Sequence, residues 1–156
     1  MSQRMTLRSL LLVALAPAAL AACQTVREEV NEVIGDNFRA DLSGAQEVPG
    51  PGDPDGWGRA TMAFNDTTNA ICTDLEVRDI GTVTAAHIHR GGPGVAGPPV
   101  VPLDAPHDND SNDCDIVADA LLDEISRNPG GFYVNVHTAE YPAGAIRGQI
   151  MDVNKE

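Results

Sequence analysis

Hydrophobic positions along the chain fall into three regimes. Residues 10–22 form an apolar run broken only by Pro17 and preceded by the basic Arg4 and Arg8. This is the pattern of an export signal, and the run is shorter than the roughly 20 residues that a membrane-spanning helix needs. Val26, Val30, Val33 and Ile34 then recur at helical spacing among Arg27, Glu28, Glu29 and Glu32, which predicts a short amphipathic helix ended by Gly35. From Phe38 onward, short β-type runs alternate with Gly, Pro and Asp clusters, as in a sandwich or barrel. The pattern predicts strands near 38–42, 57–64, 70–77, 83–89, 99–103, 132–138 and 144–152. One helix is expected over 117–125, where Val117, Ala120, Leu121, Leu122 and Ile125 share a face before the stop at Asn128, Pro129 and Gly130. The expectation is one all-β domain over 38–156, with about seven strands and one short helix.

Alternation also assigns faces. His87 and His89 stand two apart on a strand, so both side chains leave on one side while Ala86 and Ile88 point to the core. In the later strand Phe132, Val134 and Val136 alternate with Tyr133, Asn135 and His137, placing His137 outward as well. If the two strands are neighbours, about 4.8 Å apart, three imidazoles can converge on one ion of copper, zinc or nickel. The plainer alternative is three structural histidines bonded to groups such as Glu140, Asn135 or Gln149. His107, in an acidic stretch, is a candidate fourth ligand.

The apolar leader ends in Leu20, Ala21, Ala22 and Cys23, which resembles the lipobox of bacterial lipoproteins. That resemblance implies a cleaved signal peptide over 1–22, a lipid on Cys23 that anchors the chain in a bilayer, and a spacer over 23–37. A dozen spacer residues reach roughly 40 Å when fully extended. Gln24 after the cysteine implies sorting to the outer membrane, facing the periplasm. Cys72 and Cys114 remain as an even pair, expected to form a disulfide in an oxidising compartment.

The formal net charge of −13 sets the chain against nucleic acid and anionic headgroups and toward cations or basic partners. In the stretch 107–115, Asp108, Asp110 and Asn112 alternate as at the start of a calcium loop. The match fails at Asp113, where glycine is required, and at Asp119, where glutamate is required, so a solvated turn pinned by the disulfide is expected instead. Residues 92–97 spell a dinucleotide fingerprint, but Pro98 and Pro99 forbid the helix that would have to follow. No Gly-x-Ser-x-Gly elbow occurs, and Ser43, Ser111 and Ser126 lack any motif that places a histidine base beside them. Arg147 and Gln149, outward on the last strand, are expected to hold Glu140 and turn carbonyls rather than to bind an anion.

Three segments in series, residues 38–49 (FRADLSGAQEVP), 83–91 (VTAAHIHRG) and 132–150 (FYVNVHTAEYPAGAIRGQI), together resemble the CHRD domain, named from chordin and common in bacterial exported proteins. The loop after Pro49, GPGDPDGWG, departs from the plainer loop usual there. The resemblance implies an immunoglobulin-like or superoxide-dismutase-like Greek-key β-sandwich, and it implies no reaction. The His-x-His strand with a later Val-x-Val-His strand is similar to the copper half of copper-zinc superoxide dismutase. Gly97, Pro98 and Pro99 stand where that enzyme carries its bridging histidine, and no zinc cluster follows, so dismutase activity is not implied. The resulting expectation is a lipid-anchored extracytoplasmic binding or interaction module with an unknown protein partner, not an enzyme. The alternative is a metal protein, copper first, that uses His87, His89 and His137 for sequestration, delivery or limited redox chemistry. Calcium-dependent adhesion through the acidic stretch is a third reading.

Overall fold

The computed structural model describes residues 37–154. The leader, Cys23 and the amphipathic spacer lie outside the described residues.

Strict alternation builds the first three strands. β1 (Asn37–Ser43), β2 (Trp57–Asn65) and β3 (Ala70–Arg78) bury alternate residues and form an antiparallel meander, with Ala40 opposite Ala60 and Ala60 opposite Leu75. Asn65 Oδ1 accepts the Thr67 and Thr68 backbone N–H groups, and Asn69 at φ 54° completes the β2–β3 turn. Phe38 and Phe64 pack at 4.4 Å between ring centroids inside the curl.

β4 (Val83–Arg90) and β5 (Pro99–Leu103) form a hairpin. β6 (Asp110–Ile116) then returns to pair with β3. Helix α1 (Asp119–Arg127) buries Leu122 and Ile125 in the core. β7 (Phe132–Thr138), β8 (Ile146–Gln149) and β9 (Met151–Asp152) close the chain. The strand order is β5-β4-β7-β8-β1-β2-β3-β6, with β9 also paired to β1 and every pairing antiparallel. The terminal strands β5 and β6 approach one another, so the sheet is nearly closed into a barrel. Val100, Val101 and Pro102 line a groove along that seam with Ile116, Val117 and Leu121.

The all-β class with one short helix agrees with the sequence pattern, but nine strands form among the described residues where about seven were expected. The acidic stretch expected as a solvated turn is strand β6, whose residues are all exposed or half-buried. An edge strand without an apolar face leaves no period-2 signal. The closing run splits because Ile150, buried, gives its N–H to Phe132 O, after which β9 pairs with β1. The helix starts at Asp119, two residues later than its apolar spacing implied.

What positions the site is the outer face of β4, β7 and β8. Three loops fold over it. Gly52 and Asp53 donate to Gly44 O and Ala145 O, strapping loop 44–53 to the start of β8. Loop 91–98 is held by Arg147 and Gln149, which donate to Gly92 O and Gly91 O. The turn after β7 is closed by Thr138, whose Oγ1 accepts the Tyr141 N–H.

Candidate metal centre

The register of β4 and β7 brings the three histidines together. His87 lies opposite Asn135, His89 opposite Tyr133, and Ala85 opposite His137, which sets His137 diagonally beside His87. The ring centroids are 5.2 Å apart for His87 and His137, 5.5 Å for His87 and His89, and 6.1 Å for His89 and His137. One ring nitrogen from each lies within 4.8 Å of the other two. The faces are as the alternation implied, with Ala86 and Ile88 in the core, but the outer face is not open: His89 is 8% exposed.

Hydrogen bonding sorts the nitrogens. His89 Nδ1 donates to Gly97 O at 2.9 Å, and His137 Nδ1 donates to Pro142 O at 3.2 Å. With the proton on Nδ1, each Nε2 keeps a free lone pair. The buried ring nitrogens without a partner are His87 Nδ1, His89 Nε2 and His137 Nε2. Three corners at 4.8 Å have a centre about 2.8 Å away, and a metal–imidazole bond is about 2.0–2.1 Å, so ligation needs each ring to move by less than about 1 Å. Burial lowers all three imidazole pKa values; neighbouring rings add to this at His87 and His137 and Arg147 adds to it at His89, against the opposite pull of the Gly97 and Pro142 carbonyls on His89 and His137. Neutral imidazole, the ligating form, therefore prevails at neutral pH.

A second layer supports the first. The Tyr133 ring stacks on His89 at 4.9 Å and 17°. Its hydroxyl accepts the Gly97 N–H at 3.1 Å, which steadies the carbonyl that orients His89. The Arg147 guanidinium carbon sits 3.4 Å from the Tyr133 ring centre, and the side chain is 1% exposed. Its Nη2 donates to Gly92 O and to Gln149 Oε1, and Gln149 Nε2 reaches Gly91, Gly130 and Phe132 carbonyls.

The carboxylate expected to face Arg147 was Glu140, which is exposed. Glu47 takes that place. It is buried, it accepts a hydrogen bond from Asn135 Nδ2, and burial pushes its pKa up to about 7 against the pull of Asn135 and Arg147. Gly144, at φ 147°, leaves room for it, since a Cβ there would overlap the carboxylate. Glu47 lies in the opening motif FRADLSGAQEVP, and that placement is the one sequence signal that marked it.

His107 is exposed in the turn before β6 and is not part of the cluster. The alternating acids of 108–112 run into strand β6, so they do not form a calcium loop. Where Asp110 and Glu76 face outward, Arg78 pairs with both, at 3.4 and 2.6 Å. Cys72 and Cys114 are directly opposite on β3 and β6 and form a disulfide.

These features define a nearly closed antiparallel β domain that carries a loop-covered histidine cluster on its outer face. The family model described as CHRD domain matches residues 38–150, and the chain belongs to the CHRD domain family. No curated protein and no solved structure matches the chain.

Proposed function

We propose that this chain is a lipid-anchored, extracytoplasmic binding module that holds a transition-metal ion, copper or zinc, on His87, His89 and His137. One observation carries the reading: the three histidines offer ring nitrogens within 4.8 Å of one another, each has a buried ring nitrogen without a hydrogen-bond partner, and backbone carbonyls fix two of the rings. Buried polar atoms usually find partners, and three of the six that lack one among the described residues are these ring nitrogens, gathered in one cluster, which supports a missing ligand there. Carbonyl-oriented histidines are the usual support around bound metal. The chemistry is sequestration or delivery rather than a catalytic cycle.

CHRD membership supports an exported binding module, and a disulfide suits an oxidising compartment. Anchoring through Cys23, in an outer membrane and facing the periplasm, rests on the leader pattern. The β3–β4 and β5–β6 connections join strands that are not sheet neighbours, which supports the Greek-key topology implied by the CHRD resemblance. A protein-binding module is the second reading, supported by the 54% exposed Val95 at the tip of loop 91–98.

The test is copper(I), copper(II) and zinc binding to the purified chain, compared with His87→Ala and His89→Ala. Submicromolar binding lost in both variants is the expected result. Binding that is absent, or unchanged by either substitution, returns the histidines to a structural role and leaves the protein-binding reading.

A further inference from the structure

The surroundings of the histidine cluster carry a charge pattern that bears on which ion it takes. Among the described residues the ligating group is three histidines with no carboxylate. The groups that orient His89 and His137 are the neutral carbonyls of Gly97 and Pro142, so they add no negative charge to the site. The buried charge that reaches the site is positive. Arg147 stacks on Tyr133 at 3.4 Å and Tyr133 stacks on His89 at 4.9 Å, so the guanidinium carbon is at most about 8 Å from the His89 ring centre. Arg147 also stands directly opposite Asn135, which stands opposite His87. Hydrogen bonds to Gly92 O and Gln149 Oε1 orient it there. The only carboxylate buried among the described residues, Glu47, is spent on Asn135 and is raised toward its neutral form by burial.

An ion entering this site therefore meets three neutral donors and a fixed cation, with the Glu47 carboxyl, only partly ionised at neutral pH, as the buried negative charge near Arg147. Three neutral imidazoles satisfy a three-coordinate monovalent ion. Zinc(II) and copper(II) bring a second unit of charge, and zinc takes a fourth ligand besides. At an effective dielectric of about 20, one more unit charge some 8 Å from a guanidinium lowers affinity by a factor of about 30.

We propose that the His87–His89–His137 site is built for monovalent copper and discriminates against copper(II) and zinc(II), with Arg147 as the positioning residue that sets the preferred valence. This rests on the metal-binding reading above and goes further by naming the ion and its oxidation state.

The experiment loads the purified chain with copper(I) under anaerobic chelator competition, then with zinc(II) and copper(II), and measures the copper(II)/copper(I) midpoint potential. Copper(I) is expected to bind at least 100-fold more tightly than zinc(II). Arg147→Gln is expected to move the copper(II)-to-copper(I) affinity ratio about 30-fold toward copper(II), a fall of about 90 mV in potential for a one-electron couple. Arg147→Lys, which keeps the charge, should restore most of it. Circular dichroism checks that each variant folds; if Arg147→Gln does not, Asn135→Asp places a carboxylate opposite His87 and should move the ratio the same way. Zinc(II) or copper(II) bound as tightly as copper(I) by the parent overturns the valence preference but leaves the metal site standing. An unmoved potential in the folded variants overturns the role of Arg147. No binding of any of the three ions overturns the metal site itself.

Discussion

The side-chain amide of Asn135 donates to the carboxyl of Glu47, tying the middle of β7 to the loop after β1 across 88 positions of sequence. Both groups are buried, and Asn135 Nδ2 also reaches Ile146 O at 3.2 Å, so one amide joins β7, β8 and loop 44–53. The loop's other ties are the side chain of Gln46, which donates to Asp41 O and Ser43 Oγ, and the backbone bonds to Gly44 and Ala145.

Glu47 makes stability depend on pH in a definite direction. Its pKa is raised from 4.5 to about 7, so the folded chain binds more protons than the unfolded chain between those values. The contribution is fully present below about 4.5 and is lost as pH rises through 7. At about 1.4 kcal/mol per unit, the span is on the order of 3 kcal/mol. Glu47→Gln keeps the acceptor for Asn135 but cannot ionise. Denaturant unfolding of the metal-free protein from pH 5 to 8 should show the parent losing stability relative to this variant, and parallel curves would mean that Glu47 is not the titrating group.

The histidines act with the opposite sign. Burial lowers the pKa values of His87, His89 and His137 below 6.5, so the unfolded chain binds more protons as pH falls through the unfolded value. Stability of the metal-free protein is therefore full above about 6.5 and declines on acidification. His137→Gln, which removes one titrating ring, should flatten the decline between pH 6.5 and 5. A bound ion competes with fewer protons than on free imidazole, so metal release should have its midpoint below 6.5. Release centred above that value, or an acid limb unchanged in His137→Gln, counts against the assignment.

The convergence of these rings was legible because β4 and β7 each bury Ile, Val or Ala on one side, and a period of two leaves little choice for His87, His89 and His137. Pairing of the two strands was a supposition that the register supplies. Alternation tells which side of a strand faces away from the core, but it is silent on loops that fold over that side. Hence Glu47, brought in by loop 44–53, was overlooked in favour of Glu140, which is close in sequence to His137 yet exposed. β6 was illegible for a related reason. Its residues make backbone bonds to β3 and bury no apolar side chain, so only Cys114 hinted that the stretch had a fixed partner.

Tyr133 should matter to the site through its hydroxyl. Tyr133→Phe keeps the stacking on His89 and beneath Arg147 but removes the acceptor for Gly97 N–H. Gly97 O then loses its tether while still receiving His89 Nδ1. Supporting groups around metal ligands are typically worth 10- to 100-fold in affinity. This one acts at one remove, so a weakening of about 3- to 10-fold is expected, with thermal stability of the metal-free protein changed little. Chelator competition with the parent and Tyr133→Phe measures it. A variant that binds as the parent does would show that Gly97 is held by loop 91–98 alone.

The last expectation concerns β6, which lies at the open side of the sheet and is joined to it by β3 alone. Cys72 and Cys114 sit at the centre of that pairing with a sequence separation of 42. In the chain-entropy account, a closed loop of this length stabilises the fold by about 4 kcal/mol. Without it, β6 would be held mainly by backbone bonds and the exposed Arg78–Asp110 pair, since Asp110, Asn112 and Asp113 bring no apolar burial and add like charge beside Asp74 and Glu76. Replacing both cysteines with serine should lower the thermal midpoint by roughly 10–15 °C for a domain of this size. Amide exchange should accelerate first across 110–116, while the amides of β4 and β7 stay protected, because the histidine strands lie on the far side of the sheet order. Metal affinity of the folded double variant should match the parent. Uniform loss of protection across all strands would instead make the disulfide a brace for the whole barrel.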